Sequence, residues 1–335
     1  MTTTIKDVAR EAGCSPTTVS LVLNKQENRI SEETKRKVIK AAEKLNYTRN
    51  ELARNLVRKK SNLIAMIVPD LLNPYYTEIS NHIINGFAKL GYTVMVLSTN
   101  NDVRIEDSGL EILNNGFFEG GIAVSIDFEN FKNKLNPKVY EKLVVLEEVQ
   151  DIMEDIHVVT TDNYKGGRLA AKYLSDMGHK KLICCTSLDK VPNHEKRLEG
   201  FGSYLHEIGV EFDDYNSILR SNLEIDGIEM FAEYVISEDV TGVFCVNDLI
   251  ALGLISGLRK RGKRVPEDVS IIGYDNAYLN RFYSSKLTSI DSQIKRISRG
   301  AINILTSLLD EEKCEKINLV PPILHEGETV MRIDE

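Results

Sequence analysis

Side chains able to grip a small molecule gather in a few short runs of this 335-residue sequence. They are Asp70-Leu71-Leu72-Asn73-Pro74-Tyr75-Tyr76, Asn100, Ser125 with Asp127, Glu147, Asp162, Asn247-Asp248 and Tyr274-Asp275-Asn276. Carboxylates and amides hydrogen-bond hydroxyl groups, and tyrosines pack on the face of a ring. The candidate contacts among them are Asn73, Tyr75, Tyr76, Asn100, Ser125, Glu147, Asn247 and Asp275. Each has a plainer use as well. Asn247-Asp248 can cap the helix that begins Leu249-Ile250-Ala251, Asp275 can cap a turn, and Tyr75 and Tyr76 can divide between core and cleft. Catalysis finds little support. No Gly-x-Gly-x-x-Gly, Gly-x-x-x-x-Gly-Lys-Ser/Thr or Gly-x-Ser-x-Gly motif occurs, and the six histidines lack zinc-ligand spacing. The expectation is a binding protein without cofactor or metal, not an enzyme.

These runs fall at the ends of short apolar stretches. Leu63–Val68, Thr93–Leu97, Gly121–Ile126 and Leu143–Leu146 read as strands, and a second series follows at Leu182–Cys185, Val243–Val246 and Val269–Ile272. Amphipathic segments lie between them. Continuous apolar strands interleaved with helices argue for parallel sheets covered on both faces. Ligands of such sheets collect at the carboxyl ends of the strands. Two series predict an α/β body of two doubly wound lobes.

A different module precedes the body. Residues 1–60 hold 14 Lys and Arg against 7 Asp and Glu, whereas the remainder holds 28 against 43. A basic module on an acidic body suggests that the module alone meets a polyanion. Its pattern is helical. Thr4 caps a first helix with Asp7 three places on, and Ile5, Val8, Ala9 and Ala12 share one face. Gly13 permits a sharp turn, and Ser15-Pro16 opens a second helix that buries Val19, Val22 and Leu23. Ser31 opens a third, whose Val38, Ile39, Ala42 and Leu45 close a small core. Lys35, Arg36, Lys37, Lys40 and Lys44 line much of the rest. Helix, glycine turn, helix is the spacing of a helix-turn-helix. No apolar run approaches membrane-spanning length, the N-terminus lacks a secretory pattern, and five cysteines, two of them adjacent at Cys184-Cys185, suit reduced thiols. A cytoplasmic protein with no membrane partner is expected.

Thr4-Ile5-Lys6-Asp7-Val8-Ala9, Ala12-Gly13, Thr18-Val19-Ser20, Val22-Leu23-Asn24, Leu45-Asn46-Tyr47 and Leu52-Ala53-Arg54-Asn55-Leu56 resemble the headpiece of the lactose-repressor/galactose-repressor family of bacterial transcription regulators. The resemblance implies a headpiece over 1–48 and a hinge helix with linker over 49–61. It further implies a periplasmic-binding-protein-like pair of lobes, 62–161 plus about 291–320 and 162–290 plus about 321–335. The second helix would enter the major groove, with Pro16, Thr17 and Leu21 facing base edges. Ser15, Thr18, Ser20, Asn24, Tyr47 and Arg54 would hold phosphates, and Leu56 would wedge into the minor groove. Arg197, in Lys196-Arg197-Leu198-Glu199-Gly200-Phe201, matches the family arginine that reaches the effector; it can also pair with Glu195 or Glu199 on a helix surface.

The sequence departs from the family at four places. Leu21 stands where arginine is frequent, so a guanine-reading pair is lost and a thymine methyl can be packed instead. Thr48-Arg49 replaces a common proline, Leu223 a ligand-stacking aromatic, and Ser292 a frequent glutamine. The Leu223 departure weakens a purine reading and leaves a sugar as the expected effector. The implied function is a homodimeric repressor of carbohydrate uptake or catabolism genes. It would bind a near-palindromic operator, with affinity switched by a sugar-like ligand between the lobes. Two alternatives stand beside it: control by a protein partner, such as a phosphorylated sugar-transport carrier, and a plain solute-binding protein.

Overall fold

The structure is a computed structural model describing residues 3–23, 30–47, 61–124, 133–147, 156–213, 215–222, 225–283 and 285–333. The chain divides into two compact units, Met1–Ser61 and Asn62–Glu335.

The first unit holds α1 (Ile5–Ala12), α2 (Pro16–Leu23) and α3 (Glu32–Lys44). The Asp7 carboxylate accepts both the Thr4 backbone N–H (3.0 Å) and its hydroxyl (2.6 Å), closing the start of α1. Gly13 ends α1 at φ +64°, a left-handed conformation in which a Cβ would be strained. The Thr18 and Thr34 N–H groups donate to the Ser15 and Ser31 hydroxyls, which begin α2 and α3. Val8, Ala9, Val19, Val22, Val38 and Ala41 form the core, with Leu23, Ala42, Leu45 and Tyr47 packed around it. Ile39, expected inside, is 47% exposed, and Ala41 takes its place. Val38, Ala41, Ala42 and Leu45 stand at i, i+3, i+4 and i+7, one stripe of α3, and Ile39 falls beside it.

The second unit is built on two six-stranded sheets. The first has the order β11-β5-β4-β3-β1-β2, where β1 is Leu63–Val68, β2 Thr93–Ser98, β3 Gly120–Ala123, β4 Leu143–Leu146, β5 His157–Thr161 and β11 Ile317–Val320. All its pairings are parallel. Ile64, Met66 and Val68 of β1 pack with α4 (Pro74–Lys89) and α11 (Ile294–Leu309), while Ala65 and Ile67 face α5 (Val103–Asn114). That period-2 division explains why the strand is apolar throughout: both faces are covered.

The second sheet runs β12-β10-β9-β8-β6-β7, with β6 Leu182–Ser187, β7 Ile218–Ser221, β8 Gly242–Cys245, β9 Ser270–Asp275, β10 Thr288–Asp291 and β12 Ile323–His325. Only β12 is antiparallel. The helices of this lobe are α7 (Asn163–Asp176), α8 (Pro192–Glu207), α9 (Ile225–Ser237) and α10 (Asp248–Lys260); a single turn, α6, spans Pro137–Tyr140 in the other lobe. Helices α7 and α8 cross closely at Gly167 and Gly200, where a Cβ would run into the Arg197 and Tyr164 carbonyls. The chain passes from one sheet to the other after β5, after β10 and after β11. No helix among the described residues is long and apolar enough to cross a membrane.

Candidate functional site

On the headpiece, Pro16, Thr17 and Leu21 are exposed together on one side of α2, and Leu21 is 36% exposed. Ser15 is exposed at the helix start, where its hydroxyl also lies 2.9 Å from that of Thr18. Thr18, Ser20 and Tyr47 are half-buried, Tyr47 against the core. Much of the basic charge is spent locally: Lys35 pairs with Glu32, Lys37 with Glu33, Lys44 with Glu11 and Arg10 with Asp7. Exposed surface pairs of this kind are screened and exchangeable. Asn24, Arg54 and Leu56 lie outside the described residues.

In the second unit, the strand ends of the two sheets converge on a cavity of about 20 Å³, room for one water molecule. Asn73, Tyr75, Tyr76 and Glu147 line it from the first lobe, and Val191, Asn193, His194, Arg197, Asn247 and Asp275 from the second. Glu147 follows β4 at φ +68° and Asp275 ends β9 at φ +100°. Both carboxylates therefore sit in a backbone region costly for a residue with a Cβ, a strain that clusters at ligand sites.

Glu147 is 2% exposed. Its Oε1 accepts the Tyr75 hydroxyl at 2.6 Å and that of Thr161 at 3.4 Å; its Oε2 accepts Asn193 Nδ2 at 3.2 Å. The last contact links the lobes. Burial pushes the Glu147 carboxyl above the usual range against the opposing pull of Tyr75, Arg197, Asn163 and Thr161.

Arg197 is buried, not paired on a helix surface. Its Nε donates to Asn163 Oδ1 (2.8 Å) and its Nη1 to the Val246 carbonyl (2.6 Å), with Asp275 Oδ1 at 3.4 Å. The guanidinium lies 3.6 Å from the centre of the Tyr274 ring. Burial opposes its charge, and Asp275, Tyr274 and Glu147 outweigh that effect. Asp275 Oδ1 is buried without a hydrogen-bond donor, since the arginine contact is long and misaligned. Burial, followed by the neighbouring carboxylates, pushes Asp275 well above its usual range despite Arg197.

Asn73 and Asn247 serve two ends at once. Asn73 Oδ1 accepts Tyr75 N–H and Asn247 Oδ1 accepts Ile250 N–H, capping α4 and α10, and both residues border the cavity. Tyr75 is in the core and Tyr76 half-buried beside it, their rings edge to face at 5.3 Å. Asn100 stands apart. It is exposed beyond β2, accepts the Ser98 hydroxyl and does not line the cavity. Ser125 and Leu223 lie outside the described residues.

Val191, Asn193 and His194 were not anticipated. Strand β6 runs to Ser187, two residues past the expected end, so the first turn of α8 lands in the cavity. Pro192 at the first helical position was the signal available in the sequence. His194 is pushed down to about 3, first by burial and then by Arg197 and Arg220, and is neutral at any ordinary pH. Among the described residues no cluster of His, Cys, Asp and Glu could hold a metal ion.

Two family models match the chain: "Bacterial regulatory proteins, lacI family" over residues 4–50 and "Periplasmic binding protein-like domain" over 171–330. The HTH-type transcriptional repressor PurR of Vibrio vulnificus is 32% identical over 334 residues, covering 99% of both chains. A lac repressor dimer bound to operator and the anti-inducer ONPF superposes with a TM-score of 0.84 over 99% of this chain and all of that one; at 24% identity it speaks for the fold alone. A LacI family regulator from Enterococcus faecium with bound ribose is 26% identical, with a TM-score of 0.69 over 81% of this chain and all of that one. A helix-turn-helix unit, two parallel-sheet lobes and a full-length relative agree: the chain belongs to the lacI family of bacterial regulatory proteins, DNA-binding transcriptional repressors with a ligand-responsive body.

Proposed function

We propose that the chain works as a homodimer on a near-palindromic operator, and that a small hydroxyl-rich molecule, a sugar in first place, switches operator affinity from the cleft between the lobes. One observation carries the ligand class. Buried Glu147, Asp275 and Arg197 face each other across a cavity that Asn73, Asn193 and Asn247 also border. Carboxylates accept from hydroxyls while amide N–H groups donate to them, so each hydroxyl of a polyol can be met twice. Tyr75 and Tyr76 meet edge to face and open no parallel slot for a flat base. The ribose in the Enterococcus faecium regulator supports the same class.

The closed cavity supports a mechanism in which the lobes part to admit the ligand and close on it. The Asn193–Glu147 contact and the Tyr278 N–H to Glu78 Oε2 bond (2.8 Å) join the lobes in the closed state. A coupling of roughly 1–3 kcal/mol between effector and operator would change affinity about 5–150-fold. On the headpiece, Pro16, Thr17 and Leu21 are proposed to read bases, and Ser15, Thr18, Ser20, Asn24, Tyr47 and Arg54 to hold phosphates, with Leu56 as the wedge.

The test begins with sites selected by the full chain from a random DNA pool, then adds sugars, nucleosides and bases while operator binding is followed by anisotropy. A palindromic motif whose affinity one sugar changes by at least about fivefold is expected. Binding that no small molecule alters would move control to a protein partner. Specific DNA binding by residues 62–335 alone would overturn the headpiece assignment.

A further inference from the structure

Taking the cleft as the effector site, we infer that Thr161 is a positioning residue that carries the state of Glu147 to the hinge: its hydroxyl proton goes either to that carboxylate or to the Ser292 carbonyl in a neighbouring passage between the lobes.

The passages are tied to one another. Thr161 ends β5 where the first begins, Ser292 and Gln293 join β10 to α11 in the second, and Pro321 follows β11 in the third. The Thr161 hydroxyl stands 3.1 Å from the Ser292 carbonyl, and Gln293 Nε2 donates to the Pro321 carbonyl. The Ser292 hydroxyl donates to the Asp275 carbonyl at 3.3 Å. The serine that replaces a frequent family glutamine is thus spent on hinge backbone and does not line the cavity.

Thr161 has one hydroxyl proton and two acceptors for it. Its hydroxyl also lies 3.4 Å from Glu147 Oε1, and a hydroxyl donates a single hydrogen bond. The carbonyl is nearer, whereas a carboxylate attracts a donor more strongly. Thr161, Ser292 and Glu147 are all buried, so whichever oxygen the proton leaves is short of a donor where that shortage is costly. Glu147 Oε1 already accepts the Tyr75 hydroxyl at 2.6 Å. A further donor brought to Glu147 by a ligand weakens its hold on Thr161, and the proton passes to Ser292 and fastens the first passage to the second. Arg197 bears on the same residue: its Nε donates to Asn163 Oδ1, and Asn163 Nδ2 donates to the Thr161 carbonyl at 3.1 Å.

Hydrogen exchange of the full chain, read by mass spectrometry, tests this without a ligand, because Glu147→Gln keeps the size and removes the charge that competes for the proton. Residues 292–297, where Arg296 and Ile297 N–H donate to the Gln293 carbonyl, should exchange roughly fivefold more slowly in Glu147→Gln. In a Thr161→Val background, which keeps the side chain's volume and branching, Glu147→Gln should leave that rate unmoved. The slowing should return with Thr161→Ser and fall between with Thr161→Cys, a weak donor. Anisotropy on operator sites selected by the full chain completes the test: Glu147→Gln should shift affinity by about fivefold or more, and Thr161→Val should abolish that shift. Exchange that Glu147→Gln does not slow, or slows equally in Thr161→Val, would overturn the inference. An affinity shift that is equal with and without the Thr161 hydroxyl would also overturn it while sparing the cleft reading. Exchange as expected with operator affinity unmoved by Glu147→Gln would uphold the Thr161 link and overturn the cleft's control of the operator.

Discussion

Asp248 is a carboxylic acid in a place that does not welcome its charge. It is 5% exposed; its Oδ1 accepts the Ser289 hydroxyl at 2.6 Å and its Oδ2 the Ala277 N–H at 2.9 Å. Burial outweighs these donors and Arg197, and raises it from 3.8 to about 7. The folded protein thus holds a proton that the unfolded chain releases near pH 4. The resulting stability is complete below that pH, falls as pH rises, and is gone above about 7. At 1.36 kcal/mol for each unit, the interval corresponds to about 4 kcal/mol. Asp248→Asn mimics the neutral acid, because its oxygen can accept from Ala277 while its amide donates to the Ser289 hydroxyl. Urea unfolding of both proteins at pH 5, 6, 7 and 8 should show the difference in stability shifting toward the variant by about 2–3 kcal/mol between pH 5 and 7. The shift should then flatten. Parallel curves would mean that Asp248 is ionised in the fold across this range, and the reasoning would be wrong. Asp248→Ala leaves Ser289 and Ala277 unmet and should be less stable at every pH.

Asn193→Ala removes an inter-lobe donor from Glu147; a double-mutant cycle with Glu147→Gln should give a coupling of about 1–2 kcal/mol, and a value near zero would show that the contact does not hold the lobes. Gly167→Ala drives a Cβ into the Arg197 carbonyl and should cost about 3 kcal/mol in urea unfolding, with ligand affinity lost because α8 carries Arg197; near-native stability would contradict the close α7–α8 crossing. Leu21→Arg should change one base pair in each selected half-site, by about 1–3 kcal/mol of discrimination, and an unchanged motif would take Leu21 out of the groove.

Strands that are apolar on both faces were visible as runs: Leu63–Val68 and Leu143–Leu146 have the bounds expected from sequence alone. Most of the strands that escaped are polar or lie at an edge, and His157–Thr161, inside its sheet, offers only the pair Val158-Val159 as an apolar run. Thr288–Asp291 has no apolar run to mark it, yet Thr288 and Ser289 are fully buried, their hydroxyls bonded inward to Gly327 N–H and Asp248. Ile317–Val320 and Ile323–His325 are short edges of their sheets, and half their side chains face outward. Legibility in the cleft divides in the same way. Asn73, Glu147, Asn247 and Asp275 follow from the rule that ligands meet strand ends, and Arg197 follows from the family resemblance. Asn193 and His194 did not, since β6 extends into the polar Thr186-Ser187 and Pro192 alone marks how soon α8 begins. The spacing misplaces Ile39 because the stripe that α3 buries runs through Val38, Ala41, Ala42 and Leu45 and leaves Ile39 beside it.

The passage of the chain between the sheets sets an order for its birth on the ribosome. The headpiece emerges before the body and has its own core, drawn from residues 5–47. The first sheet, by contrast, waits for α11 and β11, and the second for β12, all of which lie beyond residue 290. Until those last segments leave the exit tunnel, Met66, Ile79 and Ile83 lack the Ile297, Ala301 and Leu305 surface that covers them. A nascent or truncated chain is therefore a DNA-reading module tethered to two unfinished, sticky lobes. Chaperone capture or proteolysis of such products would keep headpieces that answer to no ligand away from the operator.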